Sequence, residues 1–211
     1  VAINVTVSHG NLNSVVVTAV DSDGASNTAF DITADEYIDF SSDLSDLDGN
    51  PIDSSILAWY LTNLDSGEVI AITDALLDKN MRWNAERVGN WSISASAIAN
   101  NNFNVTDAVD IVVHHGEAVI ISAVLDTYAQ TAGGEIKMTV TGEDDDGNQF
   151  PQLVEWSENG VRVENISAGE DEGSYVYTAT IAGPHTLYFS TGTVDSWSNI
   201  SVAPKNVVHS L

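Results

Sequence analysis

Residues 135–141 read Glu-Ile-Lys-Met-Thr-Val-Thr. Ile136, Met138 and Val140 are apolar and their neighbours are polar, which is the period of a strand with one face on a core and the other in water. Trp91, Ile93 and Ala95 repeat the pattern, with serines between them. Helical spacing is weak along the whole chain; only residues 74–80 read as a short helical turn.

The chain matches itself when it is slid by roughly the length of one sandwich domain, about 100 residues. Thr33-Ala34 falls on Thr131-Ala132, Ile38 on Ile136, Phe40 on Met138, and Asp48-Gly49-Asn50 on Asp146-Gly147-Asn148. Trp59 then meets Trp156, while Met81, Trp83 and Ala85 meet Tyr175, Tyr177 and Ala179. Gly89 meets Gly183, Ile93 and Ala95 meet Leu187 and Phe189, and Ile111 and Val113 meet Ile200 and Val202. The chain therefore holds two copies of one unit.

Strands are expected over 14–20, 36–41, 56–62, 68–72, 81–86, 91–97 and 107–113, and again over 118–125, 135–141, 153–157, 161–165, 174–181, 186–190 and 198–202. About seven short strands per copy, separated by turn residues, predict an all-β protein of two tandem β-sandwiches. The expected domains are 11–115 and 116–206. Residues 1–10 end in Val-Ser-His-Gly much as the first copy ends in Val-His-His-Gly. They read as an extra N-terminal strand, Ile3, Val5 and Val7, that closes a preceding domain or is donated to a second copy of the chain by strand addition. Residues 207–211 read as the start of a following strand or as a tail.

The ordered set of an Asp-Gly-Asn turn, a Trp shortly after it, an aromatic strand, a Gly-initiated penultimate strand and a final Ile-x-Val strand resembles the bacterial and archaeal immunoglobulin-like (BIG-type) tandem repeats of microbial adhesins and S-layer-like surface proteins. The resemblance covers almost the whole chain. It implies a structural module of an extracellular surface assembly, such as a stalk, filament or coat, with an adhesin or carbohydrate-binding module as the alternative. It brings no catalytic residues with it.

Composition narrows the partners. The 211 residues carry 31 acidic against 6 basic side chains, a net charge of -25, with Lys79, Lys137 and Lys205 as the only lysines. Nucleic acid and anionic membranes both demand clustered positive charge, so neither is an expected partner. No run of residues is apolar enough for direct membrane insertion. The expected partners are other copies of the chain, neighbouring domains of a longer one, or glycans. Salt screens self-repulsion of such a surface, which fits an extracellular protein of a marine or salt-tolerant microbe. There is no cysteine, so packed cores or bound ions must supply the stability that disulfides give many secreted domains. No Gly-x-Ser-x-Gly elbow, phosphate loop or zinc-type grouping suggests an enzyme.

Two acidic turns are the foremost candidate sites. Asp46, Asp48 and Asn50, and equivalently Asp144, Asp146 and Asn148, offer closely spaced oxygens around a Gly, as calcium requires. The other reading is a hairpin turn whose Asp or Asn binds the local backbone. Asp21, Asp23, Asp65 and Glu170-Asp171-Glu172 read as solvated loop charges. Sequons place glycosylation candidates at Asn4, Asn90, Asn104, Asn165 and Asn199. Trp59 and Trp156 read as core tryptophans. Trp197 has no tryptophan counterpart in the first copy and is either an exposed binding aromatic or an anchor between domains. His114 and His115, with His9 at the equivalent junction, read as linker histidines rather than metal ligands, and the following Gly lets the chain turn.

Overall fold

A computed structural model describes residues 5, 8, 10–52, 57–72, 79–99 and 104–205. Every regular element among them is a strand. The chain divides into two compact units, Val1–His115 and Gly116–Leu211. The expected orphan strand is outside the described residues at Ile3 and Val7, as are Asn4, His9, most of the expected helical turn and all of 207–211; Val5 is described and exposed.

The first unit contains β1 (Leu12–Asp21), β2 (Ser26–Asn27), β3 (Ala29–Thr33), β4 (Tyr37–Asp46), β5 (Leu57–Asn63), β6 (Val69–Ile72), β7 (Asn80–Asn84), β8 (Gly89–Ile98) and β9 (Asn104–His114). They form two sheets in the orders β2-β1-β4-β7 and β3-β9-β8-β5-β6. The second unit contains β10 (Ile120–Leu125), β11 (Ala129–Thr131), β12 (Glu135–Glu143), β13 (Gln149–Pro151), β14 (Glu155–Glu158), β15 (Val161–Arg162), β16 (Ile166–Ala168), β17 (Ser174–Thr178), β18 (Gly183–Ser190) and β19 (Asp195–Ala203). Its sheets are β10-β12-β17-β16, with β13 also on β12, and β11-β19-β18-β14-β15. Strand for strand, β1, β3, β4, β5, β7, β8 and β9 reappear as β10, β11, β12, β14, β17, β18 and β19.

Alternation does the folding that the sequence suggests. Ile38, Phe40 and Leu44 of β4 and Ile93, Ala95 and Ala97 of β8 are buried from opposite sheets. Trp59 of β5 is fully enclosed between them, its ring 6.1 Å from that of Phe40. In the second unit Trp156 takes the same place on β14, with the rings of Tyr175 and Phe189 at 5.3 and 5.0 Å. Burying a side chain of this kind contributes a few kcal/mol, the largest single apolar term in a sandwich this size.

Among the described residues, nine and ten strands occur where about seven each were expected, because short edge strands escaped the alternation test. β3 and β11 are the most consequential. Each follows a strand of one sheet, crosses over, and pairs in parallel with the last strand of the other: Ala29 with Asp110 in the first unit, Ala129 with Ser201 in the second. The expected strand at 161–165 is shorter than its pattern suggests. β15 ends at Arg162 in one sheet, and the chain re-enters regular structure as β16 in the opposite one.

Candidate functional site

The acidic turns join β4 to the segment before β5, and β12 to β13. In the first, Gly49 has a φ of +80°, and the Asp46 carboxylate is turned inward, only 4 % exposed. Its Oδ1 accepts the N–H groups of Asp48 at 3.0 Å and Asn50 at 2.8 Å. The Asn50 amide donates to both oxygens at 3.1 and 3.0 Å. The remaining donor is distant in sequence: the Gly10 N–H reaches Oδ2 at 2.6 Å.

The second turn repeats this arrangement. Asp144 is 1 % exposed, and Gly147 has a φ of +83°. Its carboxylate accepts the Asn148 N–H at 2.8 Å, the Asn148 amide at 3.1 and 3.0 Å, and the Gly116 N–H at 2.9 Å. Donors from Asn50, Gly10 and Asp48 lower the Asp46 pKa to about 2. Burial pushes Asp144 up, but the donors from Asn148, Gly116 and Asp146 outweigh it, so this carboxyl also lies below its ordinary value.

Asp46, Asp48 and Asn50 are thus brought together, but not as one set of outward oxygens. Asp48 and Asp146 are exposed, whereas Asp46 and Asp144 are spent on N–H donors whose dipoles would oppose a cation. The turn acts as a clasp that fastens the glycine of each His-Gly pair to the domain that carries the turn. The approach at Gly10 is close: a Cβ there would sit 3.2 Å from Asp46 Oδ2, tighter than ordinary van der Waals contact. The signal lay in the sequence, since both the His-Gly pair and the Asp-Gly-Asn turn occur at each domain, but nothing in the sequence links them.

The other candidates are scattered. Asn90 donates through its backbone N–H and its amide to the two oxygens of Asp65, both at 2.8 Å, which holds Asp65 below the usual carboxylate range. Asn165 donates its amide to the Thr178 carbonyl. Asn104 opens β9 and is exposed. Asn199 is exposed on β19 and accepts from the Thr186 hydroxyl at 2.8 Å. His114 pairs across neighbouring strands with Asp31, Nε2 to Oδ1 at 2.6 Å, both side chains well exposed.

Trp197 lies within β19 and is 63 % exposed. Directly opposite on β18 is Tyr188, itself 45 % exposed. The sequence reading missed Tyr188, because its partnership with Trp197 exists only through the β18–β19 register. At the equivalent cross-strand position of the first domain, β8 and β9 present Ser94 opposite Ala108.

No protein-family model matches the chain, and no curated protein matches it. Solved structures do. Invasin, a bacterial integrin-binding protein, is similar at a TM-score of 0.56 and 17% identity, over 90% of this chain and 41% of its own. The Escherichia coli adhesin FdeC is similar at a TM-score of 0.50 and 18% identity, over 91% of this chain and 65% of its own. The S-layer protein SbsC, domains 1–6, matches at 0.39 and 14% identity, over 95% of this chain and 29% of its own. The chain thus spans less than two thirds of each of these structures. At such identities the likeness to invasin and FdeC is one of fold: two tandem immunoglobulin-like sandwiches.

Proposed function

We propose that this chain is a structural or adhesive module of a microbial cell-surface assembly, a segment of a stalk or coat built from tandem immunoglobulin-like domains. The observation that carries the reading is the repeated clasp. In each domain a buried aspartate accepts the backbone N–H of the glycine of a His-Gly pair, Asp46 from Gly10 and Asp144 from Gly116. A unit that repeats together with the fastening of its own junction is suited to serial arrangement along a chain.

Composition supports the same reading. A net charge of -25 keeps a crowded surface array soluble and gives it no affinity for anionic lipid or nucleic acid. The adhesin and invasin folds supply the structural precedent and nothing about partners. Protease shaving of intact cells of the source microbe, followed by peptide mass spectrometry, tests the proposal. Peptides of this chain are expected in the shaved fraction; their confinement to the lysate of shaved cells would count against it.

A further inference from the structure

The outer face of the β11-β19-β18-β14-β15 sheet carries an aromatic pair that the first domain lacks at the equivalent register. Register places Arg162, Ser157, Tyr188 and Trp197 in one row across four strands. On one side of the aromatic pair are Thr186 and Asn199, joined by a hydrogen bond that uses the amide oxygen of Asn199 and leaves its nitrogen to donate. On the other side are Asp195 and Glu155, both exposed. Leu187, Phe189 and Ile200, on the opposite face of these strands, form the core. The aromatic pair is therefore not needed to fill the sandwich.

We infer that Tyr188 and Trp197 form a stacking platform for a neutral hexopyranose unit of a glycan, with Asn199 and the Asp195 carboxylate receiving its hydroxyl groups. Three observations favour this occupant. First, the exposed parts of two aromatic side chains amount to at most a few hundred Å², well below the ~800 Å² per partner of a stable protein interface. Second, the negative ring faces attract the polarised C–H face of a sugar, while amide, hydroxyl and carboxylate groups alongside match its hydroxyls. Third, the two carboxylates outnumber the one guanidinium in these rows and the whole chain is strongly acidic, so uronate, sialyl or sulfated sugars are repelled. A flat sheet face encloses little of its ligand, so single-site affinity is weak and useful binding comes from many copies acting together.

The inference rests on the surface-module reading only for where the glycan is met, and shaving experiments judge that separately. The test uses the full chain produced in a host without N-glycosylation, screened against neutral gluco-, galacto- and manno-oligosaccharides by calorimetry and by acrylamide quenching of tryptophan. Trp59, Trp91 and Trp156 are buried and Trp83 is partly buried, so the difference in quenching between the native chain and Trp197→Ala isolates the Trp197 signal. Saturable binding that shields Trp197 from quencher, weakened about tenfold or more by Trp197→Ala and by Tyr188→Ala, is the expected result. Asn199→Ala should weaken it less without altering the fold. No saturable binding in any series would overturn the inference. Binding indifferent to Trp197→Ala, or a Trp197-dependent response to oligolysine and to no sugar, would do so too; the last would assign the face to a basic peptide.

Discussion

The two domains share a clasp and differ in a face. Asp46 and Asp144 are buried in the same turn, fed by equivalent donors, and fixed to a glycine at the start of each domain. Yet Ser94 and Ala108 in one sheet are Tyr188 and Trp197 in the other, at the same register and on the same outward face. What recurs is what folding requires; what diverges lies where folding is indifferent. That division is open to experiment, and the largest effects should come from breaking what the domains share.

The most severe change is in the core. Trp59→Ala and Trp156→Ala should each destabilise their own domain by about 3–5 kcal/mol, since each removes a large buried ring that is in aromatic contact across the sandwich. Hydrogen exchange resolved by peptide would show the loss in the domain that carries the substitution. Loss shared equally by both domains would mean that they do not fold as separate units.

Next is the clasp. Asp144→Ala strips the acceptor from the Gly116 and Asn148 N–H groups and should cost the second domain about 2–3 kcal/mol, the scale of hydrogen bonds to a charged group. Asp46→Ala acts in the same direction on the first. Urea unfolding midpoints measure both. An Asp144→Ala protein with an unchanged midpoint would reduce the clasp to an incidental contact.

This clasp also shows where reading the sequence reaches its limit. Alternation exposed β4, β8 and β12 because Ile38, Trp91 and Ile136 each head a run in which every second residue enters the core. It did not reveal β11, whose three residues Ala129, Gln130 and Thr131 bury no large apolar side chain and are set by parallel pairing to β19. The aspartates were legible as a cluster of oxygens, but their direction was not. Whether Asp46 points outward or accepts the Gly10 N–H depends on a contact 36 residues away in the chain. Tyr188 stayed hidden for a similar reason: its significance comes from a cross-strand neighbour, not from its place in the sequence.

The clasp has an acid signature. Asp46 has a folded pKa of about 2 against an ordinary 3.8, so it contributes stability that is complete above about pH 4 and is lost as pH falls towards 2. Asp144, also lowered, acts in the same sense. In Asp46→Asn, the unfolding midpoint of the first domain should fall less steeply across that interval than in the native sequence. Equal slopes would show that Asp46 titrates alike in the folded and unfolded chain.

The smallest stability effect is expected from the face that differs most. Replacing Tyr188 with Ser and Trp197 with Ala gives the second domain the residues that the first already tolerates at this register. An exposed cross-strand aromatic pair contributes about 0.2–1 kcal/mol, so the double substitution should lower stability by no more than roughly that amount. Thermal unfolding of the double variant gives the answer. A loss of several kcal/mol would mean that the rings hold the sheet together and that selection for folding accounts for them. A near-neutral result would leave two large aromatic side chains exposed to water that the folding of their own domain does not account for.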